Sequence, residues 1–278
     1  MSTETHQGLA FPVVAANGSA AHGQWSQFRG LYWRELLRTF RNPWVLVITI
    51  AQPFMWLAFF GSSFSGAPPT LVRQLFGTSS YLAFLLPGVL STSMLSVGMF
   101  GSMSTIQDKR FGFMKRILIT PTSKATVFLS KALGSATRGL VQIPVMIGAA
   151  LAFGVHLAGD PLMWAGWILG LMFLGLGFSA LFLAVTASST DWQTPGVISN
   201  FITMPLMFAS TALFPASNFP GWMQDISNLN PVTYTALLGR GIVVNGVADW
   251  AYLGYLAVFA AVLLTLGTLV ARRYLKVE

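Results

Sequence analysis

The stretch QDKRFGFMKRILITPTSKATVFLSK, residues 107–131, lies between two long apolar runs and holds six of the sixteen lysines and arginines of the chain. Its pattern predicts a short amphipathic helix, then the turn TPTS at residues 120–123, then the start of a second helix. A loop that only joined two membrane spans could be brief and featureless. We therefore interpret this stretch as a docking element for a partner in the cytoplasm.

The composition indicates a polytopic membrane protein. The 278 residues are 54% hydrophobic and 9% charged, with a mean hydropathy of +0.65. The net charge of +8 comes from basic residues beside apolar runs, where positive charge fixes membrane orientation, so nucleic acid is not indicated as a partner. The chain has no cysteine, which excludes disulfide scaffolds, thiolate metal sites and cysteine nucleophiles.

Six apolar runs predict membrane-spanning helices in an all-α fold. At 1.5 Å per residue, about 20 apolar residues cross a hydrocarbon core of about 30 Å. The predicted spans are residues 44–62, 81–106, 139–155, 162–187, 195–214 and 250–271. Residues 1–24, rich in glycine, alanine and serine, are expected to form a disordered cytoplasmic tail, and the membrane domain to cover residues 25–278.

Residues 25–41 predict an amphipathic helix that lies in the inner membrane interface. Trp25 belongs to its apolar side, whereas Arg34, Arg38 and Arg41 belong to the opposite side. We expect this interfacial helix to lie beside the basic stretch.

Residues 215–249 predict an external re-entrant hairpin of two short helices, at about 219–227 and 231–244. Arg240 lies within the apolar part, and a charge at a membrane centre costs about 2.5–3.5 kcal/mol on the insertion scale, so this region should not span. With six spans and both termini in the cytoplasm, only Arg73 and Arg240 of the sixteen basic residues remain outside. The positive-inside rule therefore favours this topology.

The predicted spans contain no charged residue at their centres, and the chain has no phosphate-binding loop and no cluster of carboxylates or histidines. An ion-coupled transporter ordinarily keeps an ionisable group inside the membrane. If this chain moves a solute uphill, the energy must come from a partner.

These features together resemble the membrane subunits of ABC-2 type transporters, especially the drug-resistance exporter permeases of bacteria and archaea. The run DKRFGFMKRILITPTS at residues 108–123 is similar to the inner loop of that family, and NPVTY at 230–234 with Arg240 is similar to its external hairpin. Lys115 stands where family members often carry glutamate, and Phe113 where a small residue is common.

The resemblance implies a coupling helix at about residues 108–119, seated in a groove of a separate ATP-binding subunit. Apolar side chains there would anchor the contact, and basic ones would meet acidic groups or lipid headgroups. The residues implied in coupling are Asp108, Lys109, Arg110, Phe111, Gly112, Phe113, Lys115, Arg116 and Ile117.

The resemblance also implies an assembly of two such ATPases with two membrane subunits, identical or paralogous, in the inner membrane of a bacterium or archaeon. ATP and magnesium would bind the ATPase, so we expect no cofactor and no catalytic site on this chain. The expected function is export of an amphiphilic or hydrophobic substrate, such as a drug, an antibiotic or a lipid. The alternatives are a polysaccharide exporter of the same architecture, an ion-coupled secondary transporter, a membrane-embedded lipid enzyme and a membrane scaffold.

Overall fold

The computed structural model describes residues 20–118, 122–189 and 193–274, without the side chains of residues 20–22, 115 and 118. In this part of the chain the regular structure is entirely helical, which confirms the predicted all-α class. The α-helices are α1 (Ala20–Phe40), α2 (Pro43–Ser63), α3 (Pro69–Phe76), α4 (Tyr81–Arg110), α5 (Phe113–Leu118), α6 (Lys124–Leu140), α7 (Gln142–Ala152), α8 (Pro161–Ser188), α9 (Thr194–Phe208), α10 (Gly221–Leu229), α11 (Pro231–Arg240) and α12 (Trp250–Tyr274). A 3₁₀ turn at Ala216–Asn218 precedes α10, and a π-helical turn at Gly241–Asn245 follows α11.

Within the described residues, five helical segments are long and apolar enough to cross a membrane. They are Pro43–Ser63, Pro69–Arg110, Lys124–Ala152, Pro161–Ser188 and Trp250–Tyr274. Each contains one of the predicted spans or most of it.

The remaining predicted span, residues 195–214, is shorter in the structure than the sequence suggested. Helix α9 has 15 residues and is about 22 Å long at 1.5 Å per residue. The helix ends at Phe208. Beyond it the chain is not helical, and the carbonyl groups of Thr211 and Ala212 accept hydrogen bonds from Arg240. Length alone therefore leaves the predicted sixth crossing undecided.

Helix α8 lies at the centre of the bundle and packs against α4, α6 and α12. Its Trp167, Phe178 and Phe182 are buried in the main core. Gly98 of α4 faces the backbone of α8, where an added Cβ would lie 3.0 Å from the carbonyl carbon of Phe178. The absent side chain allows α4 and α8 to approach closely.

Helix α1 begins before the predicted interfacial helix and faces the bundle differently. It starts at Ala20, so residues 20–24 are helical and not part of a disordered tail; residues 1–19 lie outside the described part. Glu35 is buried against the bundle, whereas the side chains of Trp33 and Phe40 are not covered by the chain. Tyr32 also faces the bundle, where its hydroxyl donates a hydrogen bond to Thr137 Oγ1 at 3.2 Å, so the side of α1 that packs on the protein is mixed in polarity.

The region before α12 contains two short helices, of which α10 is largely exposed and α11 is buried; the external position of this hairpin stays a prediction. Helix α11 packs against α4, α8 and α12. Arg240, counted above as an external charge, is buried, because its guanidinium donates hydrogen bonds to the carbonyl oxygens of Phe84 (2.9 Å), Ala212 (2.8 Å) and Thr211. Its Cζ also lies 3.5 Å from the centroid of the Phe84 ring.

Candidate functional site

The basic stretch begins as a continuation of α4. Helix α4 continues to Arg110, so Asp108 and Lys109 lie in its last turns and not in a separate loop helix from residue 108. Gly112 then adopts a positive φ of 69°, the left-handed conformation that commonly ends a helix. We call residues 110–118, which include this turn and the short helix α5, the elbow. Residues 119–121, which include the first half of the turn predicted at 120–123, lie outside the described part.

A cluster of charged side chains fixes the base of the elbow. Asp108 Oδ1 accepts hydrogen bonds from Arg34 Nη2 at 2.9 Å and from Arg38 Nη1 at 3.2 Å. Asp108 Oδ2 accepts one from Lys131 Nζ at 2.5 Å. We call these four residues the ion cluster. It ties α1, α4 and α6 together, and both Asp108 and Lys131 are buried.

Glu35 is a second buried acid beside the ion cluster, and it was missed from the sequence. Its Oε1 accepts a hydrogen bond from Ser104 Oγ at 2.7 Å, and its Oε2 lies 3.9 Å from Lys131 Nζ. One signal was present: Glu35 and Asp108 are the only acidic residues between positions 25 and 155, a region rich in arginine and lysine. Isolated acids among many basic residues are candidates for internal ion pairs.

Lys109 joins α4 to the end of α8. Its Nζ donates hydrogen bonds to the carbonyl oxygens of Thr186 (2.7 Å), Ala187 (3.2 Å) and Ser189 (3.3 Å). The last carbonyls of a helix lack partners within the helix and carry its negative dipole end, which a lysine stabilises. In this structure Lys109 therefore makes an internal contact, whereas the resemblance implied acidic groups or lipid headgroups.

The elbow packs on the rest of the chain through its apolar side chains. Arg34 Cζ lies 3.7 Å from the centroid of the Phe113 ring. Ile117 is buried with Met114 of the elbow and Val127 of α6. Phe113 and Ile117, implied above as anchors for a partner, thus pack against the chain itself.

Three of the implied coupling residues face away from the chain. Arg110 and Arg116 are exposed, and Phe111 has 77% of its surface exposed. An aromatic ring between arginines, held on a fixed turn, can insert into an apolar pocket with an acidic rim. Trp25 and Arg41 of α1 are also exposed, and the side chain of Lys115 lies outside the described part.

The main features of this region are one exposed aromatic ring and the buried ion pairs beneath it. In the described residues, no group of three or more histidine, aspartate or glutamate side chains could hold a metal ion. The site provides an exposed ring on an elbow that directly follows α4. At the end of α4, Asp108 forms ion pairs with α1 and α6, and Lys109 binds the end of α8.

Comparison with known proteins gives a consistent match. The model of the ABC-2 type transporter family matches residues 26–244. The transport permease ycf38 of Cyanophora paradoxa is 32% identical over 197 residues, covering 70% of this chain and 66% of the relative. The daunorubicin resistance ABC transporter permease DrrB1 of Streptomyces coeruleorubidus is 25% identical over 87% of this chain and 83% of its own length. Nodulation protein J of Rhizobium meliloti is 23% identical over 81% of this chain and 85% of its own length.

Proposed function

Because the chain belongs to the ABC-2 type transporter family, whose permeases work with a separate ATP-binding subunit, we propose that it forms the export path for an amphiphilic or hydrophobic substrate. It is a multi-pass membrane protein with five long apolar helices in its described part. Polysaccharide export, kept open above, has no specific support in the site.

The observation that carries this proposal is the exposed Phe111 on a turn with a rigid base. A partner that binds Phe111 and moves would displace the elbow, and the ion cluster would pass that displacement to α1, α4 and α6. Lys109 would pass it to α8. A buried ion pair resists separation, because removing one partner leaves an uncompensated charge that costs about 3–5 kcal/mol.

An amphiphilic substrate is supported by apolar surfaces that the chain leaves uncovered. Helix α9 exposes Phe201 by 79% and Met204 by 64%. Helix α2 lines an open apolar groove of about 430 Å³ with Met55 and Phe59 among its walls. Aromatic and methionine side chains adapt to ligands of different shape. The resistance permeases among the relatives are named for daunorubicin and doxorubicin, which agrees with this class of substrate.

The proposed assembly contains two copies of this chain, or this chain and a paralogue, with two ATPases that bind ATP and magnesium. We place the elbow and both termini in the cytoplasm of a bacterial or archaeal cell, with α9 as the sixth crossing. Support comes from the basic residues gathered near the elbow, where Lys124 Nζ lies 3.4 Å from the carbonyl oxygen of Arg272 at the end of α12. Such an excess of positive charge marks the inner side of a membrane protein.

The experiment that tests this function is co-purification with an ABC ATP-binding subunit from the same organism, followed by ATP hydrolysis in liposomes with and without an anthracycline. The proposal predicts a stable complex whose ATPase rate rises with the substrate. Uphill transport by this chain alone, driven by an ion gradient, would contradict it and favour the ion-coupled alternative.

A further inference from the structure

A cavity of about 210 Å³ lies where the end of α1 meets the first turn of α2, beside α4 and α6. One enclosed water requires only about 10–15 Å³ of such volume, so the space is large enough for a chemical group of several atoms. Its polar wall includes Glu35, Arg38 and Arg138, and its apolar wall includes Val45, Phe100 and Met103. It is separate from the exposed surface of Phe111.

The polar wall contains opposite charges with unused hydrogen-bonding atoms. Glu35 and Arg138 are 4% and 6% exposed. Glu35 Oε2 and Arg138 Nε have no hydrogen-bond partner among the described residues. Arg138 Nη2 donates to the carbonyl oxygen of Val97 at 3.2 Å. Each side chain thus has a partner for part of its polar group and, in the described part of the chain, one buried atom without a hydrogen bond. A buried polar atom left unsatisfied is costly, so this wall favours a ligand that supplies both a donor and an anionic acceptor.

The surroundings of the cavity indicate a lipid. Trp33 and Phe40 in the second half of α1 and Trp44 at the start of α2 are 59%, 54% and 74% exposed. Exposed aromatic side chains of this kind concentrate at the depth of lipid headgroups. A ligand with its polar group on Glu35 and Arg138 could then place its apolar part along Val45 and out into the bilayer.

We propose that this cavity binds the headgroup of an aminophospholipid such as phosphatidylethanolamine, with the primary ammonium on Glu35 and the phosphate on Arg138 and Arg38. Glu35 needs N–H donors, which phosphatidylcholine lacks because its nitrogen carries three methyl groups. Arg138 Nε lacks an acceptor among the described residues, which the phosphate supplies, and Arg38, already bound to Asp108 and Gln107, adds positive charge beside it. The bound lipid would connect α1 to α2, α4 and α6 next to the ion cluster. This proposal does not depend on the exporter function or on the identity of the exported substrate.

The test is native mass spectrometry of the purified full chain in detergent, titrated with dioleoyl phosphatidylethanolamine, phosphatidylcholine and phosphatidylglycerol. We expect phosphatidylethanolamine to bind about tenfold more tightly than phosphatidylcholine, the difference made by a charge-assisted hydrogen bond. Glu35→Gln should remove this preference. Val45→Phe should fill the cavity and weaken phosphatidylethanolamine binding without changing any charge.

The matched control is Val47→Phe, because Val47 lies on the same helix with 53% of its surface exposed and does not line the cavity. This variant should bind phosphatidylethanolamine like the unchanged protein. Equal binding of the three lipids, or an unaltered preference in both Glu35→Gln and Val45→Phe, would overturn the proposal and leave water as the content of the cavity. Displacement of the lipid by an equal concentration of soluble phosphoethanolamine would overturn the assignment to a lipid.

Discussion

Asp108 of α4 and Lys131 of α6 form a buried ion pair in which Oδ2 lies 2.5 Å from Nζ. The same carboxylate also binds Arg34 and Arg38 of α1. One acidic side chain therefore binds three cations from two other helices. These ion pairs join α1, α4 and α6 at the base of the elbow. They also explain how these charged side chains can pack between helices.

Replacing Asp108 with Asn should destabilise the protein strongly. The substitution leaves Arg34, Arg38 and Lys131 close together with Glu35, 3.9 Å from Lys131, as the nearest counter-charge. Breaking a buried pair costs about 3–5 kcal/mol. Thermal unfolding of the purified chain in detergent would measure the loss. The control is Asp225→Asn, because Asp225 is exposed and surface substitutions usually change stability by less than about 0.5 kcal/mol. Equal unfolding temperatures for both variants would show that the ion cluster does not hold the helices.

Gly112 should tolerate Asn better than Val, although there is space for either side chain. A Cβ added at this position would meet no atom within 4 Å, but φ is +69°. The left-handed conformation costs most residues about 1–2 kcal/mol, and Asn adopts it more readily than β-branched residues do. Stimulation of ATP hydrolysis in the partner subunit should therefore survive in Gly112→Asn and fall in Gly112→Val. The opposite order would show that the turn is not required.

Removing the Arg240 charge should loosen the link between α11 and the segment after α9. Arg240→Gln would leave the carbonyl groups of Phe84, Thr211 and Ala212 without their donor, and each unsatisfied buried group costs about 1–3 kcal/mol. We expect faster proteolysis within residues 209–214 and a lower unfolding temperature. Arg73→Gln is the control, because Arg73 is basic but exposed. A proteolysis rate equal to that of the control would contradict this role for Arg240.

Local patterns in the sequence were enough to predict most of the helices. Apolar length predicted the five long segments. The charge of Arg240 within the apolar part of residues 215–249 argued against a span there and predicted the short helices α10 and α11. The end of α9 could not be predicted in this way. The segment after α9 is bound by Arg240, which donates to carbonyl groups 28 and 29 positions earlier in the chain, and such long-range contacts leave no periodic signal.

The candidate site shows the same division between local and long-range information. The basic composition of residues 107–131 located the elbow and predicted its short helix. Which residues stay exposed was less predictable, since Ile117 packs on α6 and Lys109 on α8, whereas Phe111 remains exposed. The side of α1 that packs on the bundle also could not be assigned, because amphipathicity does not say whether lipid or protein covers the apolar side.

The most direct test of coupling through the elbow compares Phe111→Asp with Phe153→Asp for stimulation of the ATP-binding subunit. Both phenylalanines are exposed, by 77% and 51%, but Phe153 follows α7 and lies away from the elbow. We predict that both variants insert and fold, and that Phe153→Asp keeps full substrate-stimulated ATP hydrolysis. Phe111→Asp should lose at least about nine-tenths of this stimulation, as expected when an interface anchor worth about 1.4 kcal/mol or more is removed. Unchanged binding and stimulation in Phe111→Asp would contradict the proposal that the elbow is where the ATPase drives this membrane protein.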